Sequence, residues 1–144
     1  MPTVPPAVLF ACNLNHVRSP MAAALLKRIA PDVAVDSRGL RPAEDIDPFV
    51  LAVMHEIGVD LTEQRPKGLD TLNGGFGLII ALTPEAHERA LELARGTPAQ
   101  VEYWPVDDPT QEDGAREQRL EAYRRLRDDL DHRLRDRFGG EAGA

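Results

Sequence analysis

The chain has 144 residues, 42% of them hydrophobic and 28% charged, with a net charge of −7. That suits one ordinary soluble domain with a core large enough to need no staples, and the acidity argues against nonspecific contact with nucleic acid or anionic membrane. No apolar run approaches the roughly 20 residues of a membrane span, and Met1-Pro2-Thr3-Val4-Pro5-Pro6 lacks the charged start and apolar core of a signal peptide, so the expected location is the cytoplasm.

In chain order, residues 1–6 form a loose lead-in. Ala7-Val8-Leu9-Phe10-Ala11 is a continuous apolar run, the pattern of a strand covered on both faces. Residues 12–18 have neither helical nor alternating periodicity and form a loop. Ser19-Pro20 resembles an N-cap followed by proline at the first helical position, and Met21, Leu25, Leu26 and Ile29 then recur at helical spacing. Val33-Ala34-Val35-Asp36-Ser37 predicts a second strand that stops near Gly39.

Asp47-Pro48 opens a second helix with Val50, Val53, Met54 and Ile57 on one face and Gly58 as its terminator. Residues 67–72 suggest a short helical piece, and residues 76–82 a third buried strand. Thr83-Pro84-Glu85 repeats the cap, proline and acidic first-turn pattern, for a helix ending near Gly96. A fourth strand spans residues 101–104, a polar loop residues 107–114. The last helix carries Leu120, Tyr123, Leu126, Leu130, Leu134 and Phe138 as its apolar stripe, its charges read as a solvated face, and residues 139–144 as a flexible tail.

Strands alternating with helices predict a single α/β domain over residues 1–144. The architecture is a three-layer sandwich: a four-stranded parallel sheet in flavodoxin-like order 2-1-3-4, with helices on both faces. Such sheets bind ligands at the carboxyl ends of their strands. The loop after the first strand lies there.

That loop holds the one cysteine, which excludes an internal disulfide, and no Cys/His cluster has the spacing of a metal site. Cys12-Asn13-Leu14-Asn15-His16-Val17-Arg18-Ser19 sets an arginine six positions after the cysteine, between an apolar strand and a helix. A loop of this length can turn successive N–H groups inward as an anion-binding nest. The following helix adds the positive end of its dipole. Arg18 supplies a planar fork matched to two phosphate oxygens. The same positive surroundings, with the Ser19 hydroxyl, favour a Cys12 thiolate. The plain alternative makes Cys12 a buried strand-end residue and Arg18 a surface charge. The position of the loop favours the chemical reading. Asp107-Asp108-Pro109 follows the fourth strand and also emerges at a carboxyl end. Alone it is a turn; near the cysteine loop, Asp108 becomes a candidate proton donor.

These residues resemble the low-molecular-weight protein tyrosine phosphatases, whose first strand is followed by a Cys-x5-Arg-Ser-Pro loop and whose later Asp-Pro loop supplies an acid. The resemblance extends over residues 8–138 and includes Val35-Asp36-Ser37-Arg38-Gly39 and Ile57-Gly58-Val59-Asp60-Leu61. It implies a cysteine-dependent phosphomonoester hydrolase with Cys12 as nucleophile, Arg18 as phosphate ligand and Asp108 as general acid. Asn13, Leu14, Asn15, His16, Val17, Arg18 and Ser19 would surround the phosphate. Ser19 would assist the thiolate, and Asn15 and Ser37 would support the loop. No metal or cofactor is implied. The partner would be a phosphorylated protein or a small phosphomonoester.

Several positions depart from the family pattern. Leu14 replaces a usual glycine, and His16 a small or aliphatic residue. Gln64 lies near the place of a supporting histidine. Thr110 and Gln111 stand where aromatic residues often line the mouth, which removes the usual partners of an aryl ring. Val17 stands where a second cysteine is common. Two other functions fit the same loop. Arsenate copies phosphate in shape and charge, but reductases of this fold that relay electrons through further cysteines do not match a chain with one; a small external thiol would be required. A non-catalytic oxyanion-binding regulator would have no use for Asp108.

Overall fold

The structure is a computed structural model that describes residues 7–69 and 75–139. Four strands, β1 (Ala7–Cys12), β2 (Ala34–Gly39), β3 (Leu78–Ala81) and β4 (Gln100–Tyr103), form one sheet in the order β2-β1-β3-β4. Every neighbouring pair is parallel, with Phe10 opposite Ser37 on one side and Ile80 on the other. The connections are α1 (Arg18–Ile29), α2 (Pro48–His55) and α3 (Pro84–Ala94), and α4 (Arg116–Leu134) follows the sheet.

The two faces are read off alternate strand residues. Val8, Phe10, Cys12, Leu78 and Ile80 share a core with Met21, Leu25 and Leu26 of α1, Val53 and Met54 of α2, and Tyr123 and Leu130 of α4. Leu9, Ala11, Ile79 and Ala81 face Ala86 and Ala90 of α3. Three helices therefore cover one face and one the other. Cys12 ends the row that points under α1.

Local chemistry explains most boundaries. The Asp47 carboxylate accepts from the Phe49 N–H at 2.8 Å, and the Thr83 hydroxyl from the Ala86 N–H at 3.1 Å, with proline next in each case. Gly58, at φ +82°, closes α2: its N–H donates to His55 at 3.0 Å and the Val59 N–H to Met54 at 3.0 Å, a Schellman arrangement.

Five expectations need correction. Ser19 is not a cap: α1 begins at Arg18 behind Val17, which makes no side-chain cap, because the Ser19 hydroxyl is engaged elsewhere. The polar loop contains a 3₁₀ turn, Pro109–Gln111, capped by Asp108. Strand β4 starts one residue early, at Gln100, and stops before Trp104. Gly139 is no tail residue, since a π turn, Arg135–Gly139, extends the last helix. The helical piece at residues 67–72 is seen only at Leu69, in 3₁₀ form: Gly68 bridges Gly39 in parallel fashion, and residues 70–74, like residues 1–6 and 140–144, lie outside the described part.

The charges of α4 are also not all solvated. Arg127 is buried, and its Nη1 donates to Val53 O and to Glu56 Oε1, both at 2.8 Å. Arg124 reaches the same Glu56 at 2.8 Å. A carboxylate at the end of α2 thus ties α2 to α4. Among the described residues no helix is long and apolar enough to cross a membrane.

On β2, Asp36 accepts from Lys67 Nζ at 2.6 Å, from Arg38 Nε at 2.9 Å and from the Ser37 N–H at 2.8 Å. Burial pushes its carboxyl up, but these donors outweigh burial and hold it below the usual aspartate range. A depressed folded value stabilises above the unfolded value, and that contribution is lost as pH falls from about 4 through the lower folded value. Asp36→Asn should therefore lower the urea midpoint at pH 7, and the deficit should shrink at pH 3; unfolding curves at the two pH values check it.

Candidate active site

The loop from Cys12 to Arg18 is shaped by what its carbonyls bind. The segment after β2 runs beside it as a strap. Leu40 N–H donates to Cys12 O at 3.1 Å, Arg41 to Asn13 O at 2.8 Å, Ala43 to Leu14 O at 2.9 Å and Asp47 to His16 O at 3.1 Å. The carbonyls are thereby drawn to the strap. Among the described residues, the N–H groups of Leu14, Asn15, His16 and Val17 donate to no other group of the chain. A loop with its acceptors bonded and its donors free is the arrangement of an anion nest.

Two residues make this path sterically possible. Asn15 adopts φ 53°, the only left-handed non-glycine among the described residues, a conformation that asparagine tolerates better than most. Gly39 passes so close that an added Cβ would lie 2.8 Å from Asn15 N and 2.9 Å from Leu14 C. No side chain fits there.

Asn15 is fully buried, and its amide orientation is fixed by its neighbours. Oδ1 accepts from the Lys67 N–H at 2.8 Å, so Nδ2 is the donor that reaches Ser19 Oγ at 2.7 Å. Ser19 Oγ lies 2.9 Å from Cys12 Sγ. The serine oxygen accepts from Asn15, and its hydroxyl is in hydrogen-bond contact with the sulfur. Support for Asn15 thus comes from the Lys67 backbone, three residues beyond Gln64, which stands near the place of the family's supporting histidine. The Ser37 hydroxyl is buried with no hydrogen-bond partner among the described residues, so it does not hold the loop by a hydrogen bond.

On the far side, Asn13 Oδ1 accepts from Thr83 Oγ1 at 2.7 Å, so the cap of α3 also holds the loop. Arg18 Nη1 donates to Val106 O at 3.3 Å, joining the cysteine loop to the segment that carries Asp108. Asp108 Oδ1 accepts from the Thr110 N–H at 3.0 Å and hydroxyl at 2.6 Å. Burial pushes the Asp108 carboxyl up, but the two Thr110 bonds and the Arg18 charge more than offset it and hold the group below the usual aspartate range. Asp107 is exposed and takes no part in this set.

Cys12, Asn13, Leu14, His16, Val17, Arg18, Asp108, Thr110 and Arg41 line one cavity of about 210 Å³. Two larger concavities, of about 600 and 590 Å³, lie behind the Asp108 turn and between α1 and β2. The small one matters here, because it alone contains the sulfur, and a phosphoryl group needs little room. Gln111 faces the concavity behind the turn, so Thr110 alone of the two non-aromatic replacements reaches the mouth. Sequence reasoning gave no site role to Arg41, Gly39, Thr83 or the strap. A glycine closing the strand beside the loop was the one available signal.

The model of the family described as low molecular weight phosphotyrosine protein phosphatase matches residues 7–139. The chain belongs to that family. It is 30% identical over 133 residues to an arsenate reductase of Bacillus subtilis, covering 90% of this chain and 92% of that one. A crystal structure of arsenate reductase from Archaeoglobus fulgidus is 26% identical, with a TM-score of 0.70 over 90% of this chain and 96% of that one. The tyrosine phosphatase Wzb from Escherichia coli K30, in complex with sulphate, shares the fold at 18% identity, with a TM-score of 0.78 over 96% of this chain and 99% of that one. The family is enzymatic, and its phosphatases and arsenate reductases are both among the relatives of this chain.

Gly39→Ala sets a side chain against loop backbone that cannot yield cheaply. Overpacking of this kind costs about 1–3 kcal/mol. The variant should unfold at lower denaturant concentration and bind vanadate more weakly, both readable by fluorescence titration; unchanged vanadate affinity would mean that the strap does not shape the loop.

Proposed function

We propose that the protein is a cysteine-dependent phosphomonoester hydrolase working through a cysteinyl-phosphate, on a phosphorylated protein or a small phosphomonoester. The observation that carries this reading is the shared cavity of Cys12, Arg18 and Asp108, with Ser19 at 2.9 Å from the sulfur.

In the first step Cys12 Sγ attacks phosphorus, an S–P bond forms and the P–O bond to the leaving group breaks. The loop N–H groups and the Arg18 fork stabilise the charge on the three non-bridging oxygens. Asp108 gives its proton to the leaving oxygen. In the second step Asp108 takes a proton from water, the water oxygen bonds to phosphorus, and the S–P bond breaks. Ser19 receives the departing thiolate with a hydrogen bond, oriented for that by Asn15.

Asp108 is held ionised at rest, and an acid must first carry a proton. An arriving phosphate is a like charge beside it and raises its proton affinity. Activity on poor leaving groups should consequently lie on the acid side and fall with rising pH.

Arsenate reduction fits the chain less well. Reducing arsenate to arsenite takes two electrons, and the one cysteine supplies only half of a disulfide. A separate thiol would have to complete it. A purely binding role would leave Asp108 unexplained.

Hydrolysis of an aryl phosphate by the wild type and its loss in Cys12→Ser tests the reading. Thiol-dependent arsenite formation without hydrolysis would overturn it. Asp108→Asn should slow an alkyl phosphate by about 10²- to 10⁴-fold. It should affect an aryl phosphate with a stable leaving anion far less, and it should remove the decline at higher pH. Asp107→Asn should change little. Equal effects of the two substitutions would refute the assignment of Asp108 as acid.

A further inference from the structure

The rim of the Cys12 cavity carries a cation that the proposed chemistry does not use. Arg41 is exposed and lines the cavity beside Leu14, His16 and Thr110. Its backbone N–H is fixed on Asn13 O at 2.8 Å, so its root sits one residue from the nucleophile. Among the described residues its guanidinium meets no carboxylate, carbonyl or ring. Arg38, Arg124, Arg127, Arg135 and Arg137 all hold carboxylates in this chain of net charge −7; Arg41, like Arg95 and Arg125, holds none, and of these three it is the one that lines the Cys12 cavity. Glu44 and Asp45, close in sequence, do not neutralise it.

The phosphoryl oxygens already have the loop N–H groups and Arg18. Groups at the rim meet whatever the phosphate is attached to. Here that rim offers an apolar wall, Leu14, a hydroxyl, Thr110, and two nitrogen-bearing side chains, His16 and Arg41, with no aromatic surface for stacking. Selection by charge is what such a rim can do. A guanidinium fork pairs with a carboxylate or phosphate through two hydrogen bonds.

We propose that Arg41 binds a second anionic group on the substrate, so that the enzyme prefers phosphomonoesters carrying a carboxylate or further phosphate near the ester oxygen. This rests on the phosphatase reading above for turnover, but not for recognition. An exposed pair of this kind alters affinity by about fivefold, and salt weakens it.

The test compares 3-carboxyphenyl phosphate with 3-carbamoylphenyl phosphate, which match in size and differ in charge. The readout is the ratio of their kcat/KM values, which cancels any general effect of a substitution on turnover. Wild type should favour the carboxylate, chiefly through KM, and the ratio should fall about fivefold in Arg41→Gln. Arg95→Gln, which removes the same exposed charge after α3 at the other end of the sheet, should leave the ratio as it was. A wild-type ratio near one, or an equal fall in Arg95→Gln, overturns the proposal.

Binding of the corresponding carboxy- and carbamoyl-benzylphosphonates separates the two readings. If no phosphate ester is turned over but the Arg41-dependent preference persists in binding, hydrolysis fails and the recognition stands. If esters are hydrolysed and neither ratio depends on Arg41, recognition fails alone. Phosphotyrosyl peptides with aspartate or asparagine before the tyrosine identify the source of the anion. Arg41 dependence in the peptide pair points to an acidic phosphopeptide, and dependence confined to the aryl pair points to a small molecule.

Discussion

Four carbonyls of the cysteine loop are bonded sideways to the strap after β2, and the rest of the site depends on that. A peptide group that gives its oxygen to one neighbour turns its N–H away from that neighbour. Repeated along residues 12–16, this concentrates donors on the side away from the strap. Such donors cost free energy when buried without a partner, roughly 1–3 kcal/mol each. An oxyanion would relieve that cost, and among the described residues no internal acceptor does so.

The strap can lie so close only because Gly39 has no side chain, and the loop can turn only because Asn15 accepts a left-handed backbone. Asn15 then has a second task. Its amide is pinned at one end by the Lys67 N–H, and Lys67 is pinned in turn by Asp36 on β2. The other end of the amide donates to Ser19 Oγ, which lies in hydrogen-bond contact with the Cys12 sulfur. One chain of contacts thus runs from an ion pair on the sheet edge to the Cys12 sulfur. Asp47 makes a similar link on the other side: its N–H takes His16 O, one carboxylate oxygen caps α2, and the other accepts from Tyr123 of α4 at 2.7 Å.

The parallel sheet, its order and two of the four helix starts, those of α2 and α3, were legible from apolar runs, their alternation with helices, prolines and capping side chains. The Cys12 and Arg18 pair was legible from spacing and placement. Ser19 was misjudged as a cap because Ser-Pro at a helix start looks the same whether the hydroxyl turns to the backbone or to a sulfur seven residues back. The strap, the Thr83 contact and the Arg41 position were not legible, since each joins residues far apart in sequence through backbone or rim geometry. The 3₁₀ turn after Asp108 was hidden by the ambiguity of Asp-Pro, which begins turns of several kinds.

That turn bears on how the acid is controlled. Asp108 is at once the cap of a short turn and the proposed proton donor, and the first task keeps it ionised. Arg18 has a double engagement as well, since its guanidinium rests on Val106 O and its charge acts on Asp108. A phosphate entering the loop competes for the Arg18 fork and adds negative charge beside Asp108. Both changes favour protonation of the carboxyl when a leaving group arrives to receive the proton. After the first step the leaving group has gone, and loss of the proton returns Asp108 to its ionised, turn-capping state, the form that can accept a proton from water. The two steps of the proposed reaction need opposite protonation states of one residue; the contacts around Asp108 favour the ionised one, and an arriving phosphate would favour the other.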